Sequence, residues 1–173
     1  NRIGDFGKTL RYIRYFDDFP VVELTNVWTD SMGEREMLYV VQTNKKIIQR
    51  CMLMTTEPGD IVFDPTCGAG TSAFVAEEWG RRWITTDTSR VSIAIAKKRL
   101  LTALFPYYEL KNIEEGIKSG FNYKQIPHIS LGSIANNEPG KMEALFDKPQ
   151  INKNKIRITG PFTIEAVPSP IVK

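Results

Sequence analysis

Asp64-Pro-Thr-Cys-Gly-Ala-Gly-Thr71 and Asp87, 17 residues beyond Gly70, are the residues of this chain whose types and spacing could do chemistry together. Two glycines one residue apart leave backbone bare of side chains, so the chain can turn tightly and a ligand can approach it closely. A helix is predicted just after them, and the N–H groups of its first turn favour a carboxylate or another anion. Asp64 adds a carboxylate that can pair with an ammonium group. Asp87 stands where a second strand should present an acid to a ribose diol. A ligand with a ribose, an ammonium and a carboxylate fits this set. A glycine pair alone occurs in many tight turns; the strand before it, the helix after it and the spaced acid give it weight. The dinucleotide fingerprint is the rival, since Ala73 holds its third glycine position and alanine is tolerated there. A P-loop is excluded because no Gly-Lys-Ser/Thr follows.

Such residues meet a ligand only at the carboxyl ends of parallel strands. The sequence supplies the elements. Thr43 can cap a helix over 44–56 whose apolar residues are Ile47, Ile48, Cys51, Met52 and Met54 or Thr55, stopped by Pro58-Gly59. The run 60–64 reads as a buried strand, and Pro65 to Thr71 as a loop. A helix is predicted over 72–79 with Gly80 as its stop, and a second strand over 83–86 ending in Asp87. A third helix follows over 89–105, with Val91, Ala94, Ile95, Ala96, Leu101 and Leu104 on its apolar side and Pro106 beyond. This is the cadence of an α/β fold with parallel strands. Residues 1–37 read as extended segments and loops, 38–108 as the α/β part, and 109–173 as a basic extension. In that extension the turn signals Glu115-Gly116, Ser119-Gly120, Asn136-Asn137 and Pro139-Gly140 precede a small β element, two short strands over 157–159 and 162–167.

Composition narrows the class further. With 173 residues, 42% hydrophobic and 25% charged, the chain is neither disordered nor collagen-like nor a coiled coil. No apolar run approaches the roughly 18 residues of a membrane span, so a soluble, cytoplasmic chain without a membrane partner is expected. The first residue is Asn1 rather than Met, which suits a chain cut from something longer. Net charge is +3, with 14 basic and 14 acidic side chains before residue 111 and 9 against 6 after it. The excess is densest at Lys153, Lys155 and Arg157, a patch that could meet DNA phosphates or simply face solvent. Cys51, Cys67 and the single His128 offer neither a disulfide framework nor metal-ligand spacing, so no metal is expected and His128 reads as structural or surface.

Asp64-Pro-Thr-Cys-Gly-Ala-Gly-Thr71 resembles the S-adenosylmethionine loop of amino-group DNA methyltransferases of the N6-adenine and N4-cytosine type. Tyr39-Val-Val-Gln-Thr-Asn-Lys-Lys46, Ile47-Ile-Gln-Arg-Cys51 and Glu57-Pro-Gly-Asp60 are similar to the helix that closes their cofactor pocket. Trp79-Gly-Arg-Arg-Trp-Ile-Thr-Thr-Asp87-Thr-Ser-Arg90 resembles their strand with the ribose-binding acid. The order matches the permuted class, in which the catalytic half lies upstream. Asp17-Asp18-Phe-Pro, Asn26-Val-Trp-Thr-Asp30, Ile126-Pro-His-Ile-Ser130 and Gly160-Pro-Phe-Thr-Ile-Glu165 look like a subgroup resembling the modification subunits of type III restriction systems.

The resemblance implies a Rossmann-like S-adenosylmethionine-dependent methyltransferase fold, present in part. Gly68, Gly70 and Thr71 would surround the methionine part of the cofactor, with Thr66 and Cys67 in the same loop. Asp64 would sit near its amino group, Asp87 would accept the ribose hydroxyls, and Thr43, Asn44 and Lys45 would line the pocket from the helix side. The family's catalytic tetrapeptide, Asp, Asn or Ser followed by Pro-Pro and an aromatic, is missing, for no Pro-Pro occurs here. Phe105-Pro-Tyr-Tyr108 reads as a helix stop with packing aromatics. The expected protein is thus the cofactor-binding part of a DNA methyltransferase. Its partners would be DNA and an absent catalytic half or a restriction subunit, and an unpaired strand edge invites a homodimer. The rivals are a degenerate, non-catalytic relic that binds nucleic acid through its basic tail, and a nicotinamide-binding oxidoreductase.

Overall fold

The computed structural model describes residues 2–5, 7–31 and 37–168. A short antiparallel ribbon, β1 (Ile3–Asp5) and β2 (Leu10–Tyr12), opens the chain. Then come α1 (Lys45–Thr55), β3 (Ile61–Asp64), α2 (Thr71–Glu78), β4 (Arg82–Thr85) and α3 (Arg90–Thr102). β3 and β4 pair in parallel with Ile61 opposite Arg82 and Asp64 opposite Thr85. The carboxyl ends of both strands, which carry Asp64 and lead to Asp87, therefore lie side by side. This is the mixed α/β arrangement that the cadence predicts.

The local reasons are visible, and several details differ from expectation. α1 is capped by Asn44, whose side chain accepts from the Lys46 N–H at 2.8 Å, rather than by Thr43. Both residue types can cap; the chain enters its helix one residue later and leaves Thr43 outside it. Its buried stripe is Met52 with Ile48 and Leu53, while Cys51 and Met54 face solvent. β3 is not buried on both faces. Val62 and Trp83 pack under the helices, but Ile61, Phe63 and Ile84 on the other face are more than half exposed. Among the described residues, nothing covers that face. α3 ends at Thr102, not at Phe105, because the residue before a proline is pushed out of the helical region. Its inner face is Ser92, Ala96 and Leu100; Val91, Ala94, Leu101 and Leu104 are exposed.

The core forms where α1, α2 and β4 meet, around Met52, Val75, Ala76 and Trp79. Phe105-Pro-Tyr-Tyr108, read as a helix stop with packing aromatics, also forms a strand, β5 (Phe105–Tyr108). Phe105 is 1% exposed and lies 5.0 Å from the Phe74 ring, and Tyr108 lies 5.5 Å from Trp79. Residues 105 and 108 would face opposite sides of a regular strand; the register shift between Pro106 and Tyr108 lets both rings pack inward, as packing aromatics should.

The extension is more regular than its turn signals suggest. It holds β6 (Tyr123–His128), α4 (Leu131–Asn136), β7 (Lys141–Pro149) and β8 (Ile151–Arg157). β6 pairs with β7, and β8 pairs antiparallel with β5. Alternating Lys and Asn in β8 hides its period in a hydropathy reading, since both of its faces carry polar side chains. The expected strand over 157–159 is replaced by the end of β8, and 162–167 forms none; Phe162 instead packs on Trp83 at 5.3 Å. Asn137 does take the left-handed turn conformation that its dipeptide predicts, at φ 54°.

The flanking segments are docked onto the α/β part and onto each other by the motifs singled out in them. Asp30 pairs with Lys46 and Arg50 of α1, and Arg50 lies over the Trp28 ring. The Phe19 ring stacks on His128 at 3.9 Å, and the Ile129 N–H donates to the Asp18 carbonyl at 3.0 Å. His128 is thereby placed in a structural contact, with Glu143 at 2.8 Å from Nδ1. Arg157 at the end of β8 bonds to Glu77, to its carboxylate and its carbonyl, and lies over Phe105 at 5.1 Å. Glu77 also accepts from Trp83 Nε1 at 3.1 Å. Arg157→Ala would leave the half-buried Glu77 carboxylate short of its cationic donor, and is expected to lower stability by about 1–2 kcal/mol in a urea melt.

Candidate functional site

The glycine loop is stitched to β4 before it reaches any ligand. Thr86 N–H donates to Asp64 O at 3.0 Å, Cys67 N–H to Thr86 O at 2.8 Å, and Thr86 Oγ1 to Pro65 O at 3.1 Å. Asp64 Oδ1 accepts from Thr66 N–H at 2.9 Å, an Asx turn that fixes the first corner of the loop. The buried Cys67 carbonyl accepts from Gly70 N–H at 2.8 Å and closes the second. The thiol of Cys67 is packed, at 4% exposure, so it serves as a small apolar residue rather than a reactive one.

The two glycines do different work. At Gly68 (φ 52°) a Cβ would meet Tyr39, the Val41 carbonyl and the Thr66 carbonyl only at 3.8–3.9 Å, so its absence leaves a gap between the loop and residues 39–41. At Gly70 (φ 72°) a Cβ would stand 2.7 Å from Ala96 Cβ, so its absence lets α2 and α3 approach. Gly70 is also the cap residue of α2 and brings no side chain to its first turn. The N–H groups there are left to whatever occupies the cleft in front of them.

That cleft, about 200 Å³, is lined by Val41, Gln42, Thr43 and Ile48 and by Asp64, Thr66, Cys67, Gly68, Ala69, Thr71 and Ser72. Small-molecule sites usually run from about 300 Å³ upward, so it is sized for an amino-acid-like portion of a ligand. Of the residues singled out in the sequence, Thr43, Asp64, Thr66, Cys67, Gly68 and Thr71 are brought together there. Gly70 lies behind the loop against α3. Asn44 and Lys45 are not brought to the cleft: Asn44 caps α1, and Lys45 Nζ pairs with Glu78 at 2.8 Å and lies over the Phe74 ring.

Asp87 reaches the loop from the end of β4. Its carboxylate accepts from Ser89 N–H (2.8 Å), Ser92 Oγ (2.7 Å) and Gly68 N–H (2.9 Å). These donors, the Ser89 N–H first and then the Ser92 hydroxyl, hold its pKa below the ordinary carboxylate value. The acid is thus ionised at neutral pH and fixed to the glycine loop. A carboxyl with a depressed folded pKa stabilises the fold above its unfolded value of about 4, and that contribution is lost as pH falls through the folded value. The midpoint of thermal unfolding is therefore expected to drop below about pH 4, and Asp87→Asn to flatten that drop. Asp18, held low by Arg2, adds to the same trend.

Sequence reasoning placed Val41, Gln42 and Ala69 in the right stretches without singling them out, read Ile48 only as core, and missed Ser72, which also lines the cleft, and Ser92. Ser92 follows Ser89 by three residues, a capping spacing, but nothing in the sequence signals that its hydroxyl reaches Gly68. A larger cavity of about 950 Å³ lies at the opposite end of β3, beside Asp60, between α1 and the extension. There buried Arg81 donates to Thr56 O (2.5 Å), Thr56 Oγ1 (3.1 Å) and Trp79 O (2.7 Å), and burial lowers its pKa. Those bonds staple α1 to α2, and the cavity lies away from the glycine loop and both of its acids. Among the described residues, no group of three or more His, Cys, Asp or Glu could hold a metal ion, and no helix is long and apolar enough to cross a membrane.

The basic residues of the extension do not form one free patch. Lys153 and Lys155 are exposed, with Lys155 Nζ 5.1 Å from the Tyr107 ring, while Arg157 is half-buried and engaged with Glu77.

The stretch that builds this cleft, from the 310 turn at Asp18 to the middle of α3, is also the stretch with recognisable kin. Residues 18–98 match the sequence pattern of the N6/N4 DNA methylases. This segment belongs to the DNA methylase family. The chain is similar to the type II methyltransferase M2.DpnII of Streptococcus pneumoniae, 33% identical over 82 residues, which are 45% of this chain and 31% of the relative. M2.LlaDCHI of Lactococcus lactis subsp. cremoris is likewise 33% identical over 82 residues, 45% of this chain and 30% of its own length. M.HpaI of Haemophilus parainfluenzae is 30% identical over 94 residues, 52% of this chain and 30% of the relative. The chain thus spans about a third of the length of the curated relatives it matches. These relatives are named as type II methyltransferases, and the narrower likeness to type III modification subunits is not what they show.

Proposed function

We propose that this chain is the S-adenosylmethionine-binding part of a DNA methyltransferase with a Rossmann-like domain, acting on adenine N6 in preference to cytosine N4. The observation that carries the reading is the junction of Gly68 and Asp87 inside the methylase segment: a bare loop at the end of one parallel strand, tied to an ionised acid from the next. The residues suit the cofactor's parts. The uncapped first turn of α2 fits a carboxylate, Asp64 an ammonium, and Asp87 a ribose diol. Thr43, Thr66, Cys67 and Thr71 would bound the amino-acid portion. The rest of the nucleoside would extend beyond the 200 Å³ cleft.

When bound, S-adenosylmethionine would supply a methyl group already activated by its sulfonium charge, so the protein's contribution is chiefly positioning. An exocyclic amine has its lone pair delocalised into the ring, and a base must leave the duplex to be reached. The tetrapeptide that would serve that base is absent from these residues, and we assign the task to a catalytic half or partner subunit. The chain alone would then bind cofactor without transferring methyl groups to DNA, and it would work in the cytoplasm beside its DNA. Lys153 and Lys155 would add phosphate contacts. Replacing both should flatten the salt dependence of DNA binding, whereas Arg157→Ala should act mainly on stability. The reading is tested by calorimetric titration with S-adenosylhomocysteine, in competition with a nicotinamide dinucleotide. Saturable one-site binding that the dinucleotide does not displace supports it; binding of the dinucleotide alone would contradict it. Methyl incorporation into DNA by this chain alone would refute the assignment of catalysis to a second part.

A further inference from the structure

α3 presents Ser92, Ala96 and Arg99 at i, i+4 and i+7, one stripe along the helix. That stripe meets the glycine loop residue by residue. Ser92 Oγ lies 2.8 Å from the Gly68 carbonyl and 2.7 Å from Asp87 Oδ2. Ala96 fills the space that Gly70 leaves. Arg99 Nη1 donates to Ala69 O at 3.1 Å and lies 3.1 Å from Thr71 Oγ1, and its guanidinium stands 4.7 Å from the Phe74 ring.

Ser92 is fully buried, at 0% exposure, and no water can substitute for it. A hydroxyl has one hydrogen, yet two acceptors lie within bonding distance of Oγ, the Gly68 carbonyl and the Asp87 carboxylate. Gly68 in turn donates its own N–H to the same Asp87 oxygen at 2.9 Å. The three groups form a closed triangle in which the Ser92 proton can serve either acceptor.

We propose that Ser92 is the positioning residue of this site, a hydroxyl rotor that adapts Asp87 to a cis-diol ligand. Without ligand hydroxyls at Asp87, Ser92 donates to its carboxylate. When ligand hydroxyls donate to that carboxylate, the Ser92 proton turns to the Gly68 carbonyl and still holds the loop. Asp87 exchanges one donor for another, so the bare backbone stays in register with the uncapped turn of α2. This inference rests on the reading of Asp87 as the ribose acceptor.

The test uses the whole chain with Ser92→Ala, and Ser92→Cys as a second variant of similar size whose weak thiol donor keeps part of the contact. Without ligand, amide hydrogen exchange at residues 68–71 is expected to rise at least about tenfold in Ser92→Ala, while Val75 and Ala76 in the core keep their protection. With ligand, Ser92→Ala should bind S-adenosylhomocysteine about tenfold more weakly, and its 2′,3′-dideoxy analogue, which lacks the diol but still uses the loosened loop, by a clearly smaller factor. Ser92→Cys should fall between. Unchanged loop exchange, or equal losses for the two ligands, would overturn the proposal. If the unaltered chain binds no S-adenosylhomocysteine, the cofactor reading fails and the diol role falls with it. The exchange result still decides whether Ser92 holds the loop.

Discussion

Asp87→Ala is expected to lower stability by about 2–4 kcal/mol and to weaken S-adenosylhomocysteine binding by about 1–3 kcal/mol, from a few-fold to over a hundredfold. Three donors converge on this one carboxylate, two of them backbone N–H groups that cannot turn away. Removing the acceptor leaves them short of partners in a half-buried place, and each unmet group costs about 1–3 kcal/mol, less where water enters. The loss should also spread. Gly68 is released on the cleft side and Ser89, the cap of α3, on the other. Asp87→Asn keeps the shape but turns an N–H toward one of the donors, so it should fall between the two. Urea melts and calorimetry on the same preparations would separate the stability effect from the ligand effect. An alanine variant as stable and as avid as the original would remove Asp87 from the account.

Gly70→Ala should destabilise the chain by about 2–4 kcal/mol. A left-handed residue with a side chain costs about 1–2 kcal/mol, and the new Cβ would meet Ala96 Cβ at 2.7 Å and Ala96 Cα at 3.2 Å, an overpacking that costs about 1–3 kcal/mol. Neither neighbour is the loose end of a long side chain, so α2 or α3 must move. Ala96→Gly removes the obstacle but not the strain, so a double-mutant cycle should show a coupling of about 1–2 kcal/mol. Gly68→Ala supplies the contrast. Its neighbours are 3.8 Å away or more, so only the left-handed backbone strain remains, about 1–2 kcal/mol. Its methyl group would enter the cleft, however, and ligand affinity should fall more than stability. One glycine serves packing, the other access.

Legibility followed the length of the interactions involved. The α/β cadence from α1 to α3, the parallel pair and the site loop depend on period and punctuation within about 60 residues, and the sequence displays both. Thr43 and Asn44 show the limit of that reading: either could cap α1, and only the backbone decides. Beyond Tyr108 the folding information is non-local. β5 is a strand because Arg157, Ile156 and Ile151 lie beside it, and no pattern within Phe105-Pro-Tyr-Tyr108 announces partners some fifty residues away. Arg157 looked like one of three surface cations, yet Glu77, eighty residues earlier, claims it. Within the site the legible part was the loop and its acid. The illegible part was the floor beneath them, since Ser92 and Arg99 look like ordinary polar positions until α3 is laid against residues 68–71. The same holds for the apolar face of Ile61, Phe63 and Ile84, which reads as core because its residue types are those of a buried strand.

The central claim is that Asp64, the loop through Thr71 and Asp87 are one S-adenosylmethionine site. Titration of ¹⁵N-labelled chain with S-adenosylhomocysteine, followed by amide chemical shifts, tests it most directly. Saturable shifts concentrated at Thr66, Gly68 to Ser72 and the Asp87–Ser89 turn, with residues 111–125 around the larger cavity unmoved, are the predicted result. Shifts confined to that larger cavity, or none from a chain whose spectrum is that of a folded protein, would contradict it.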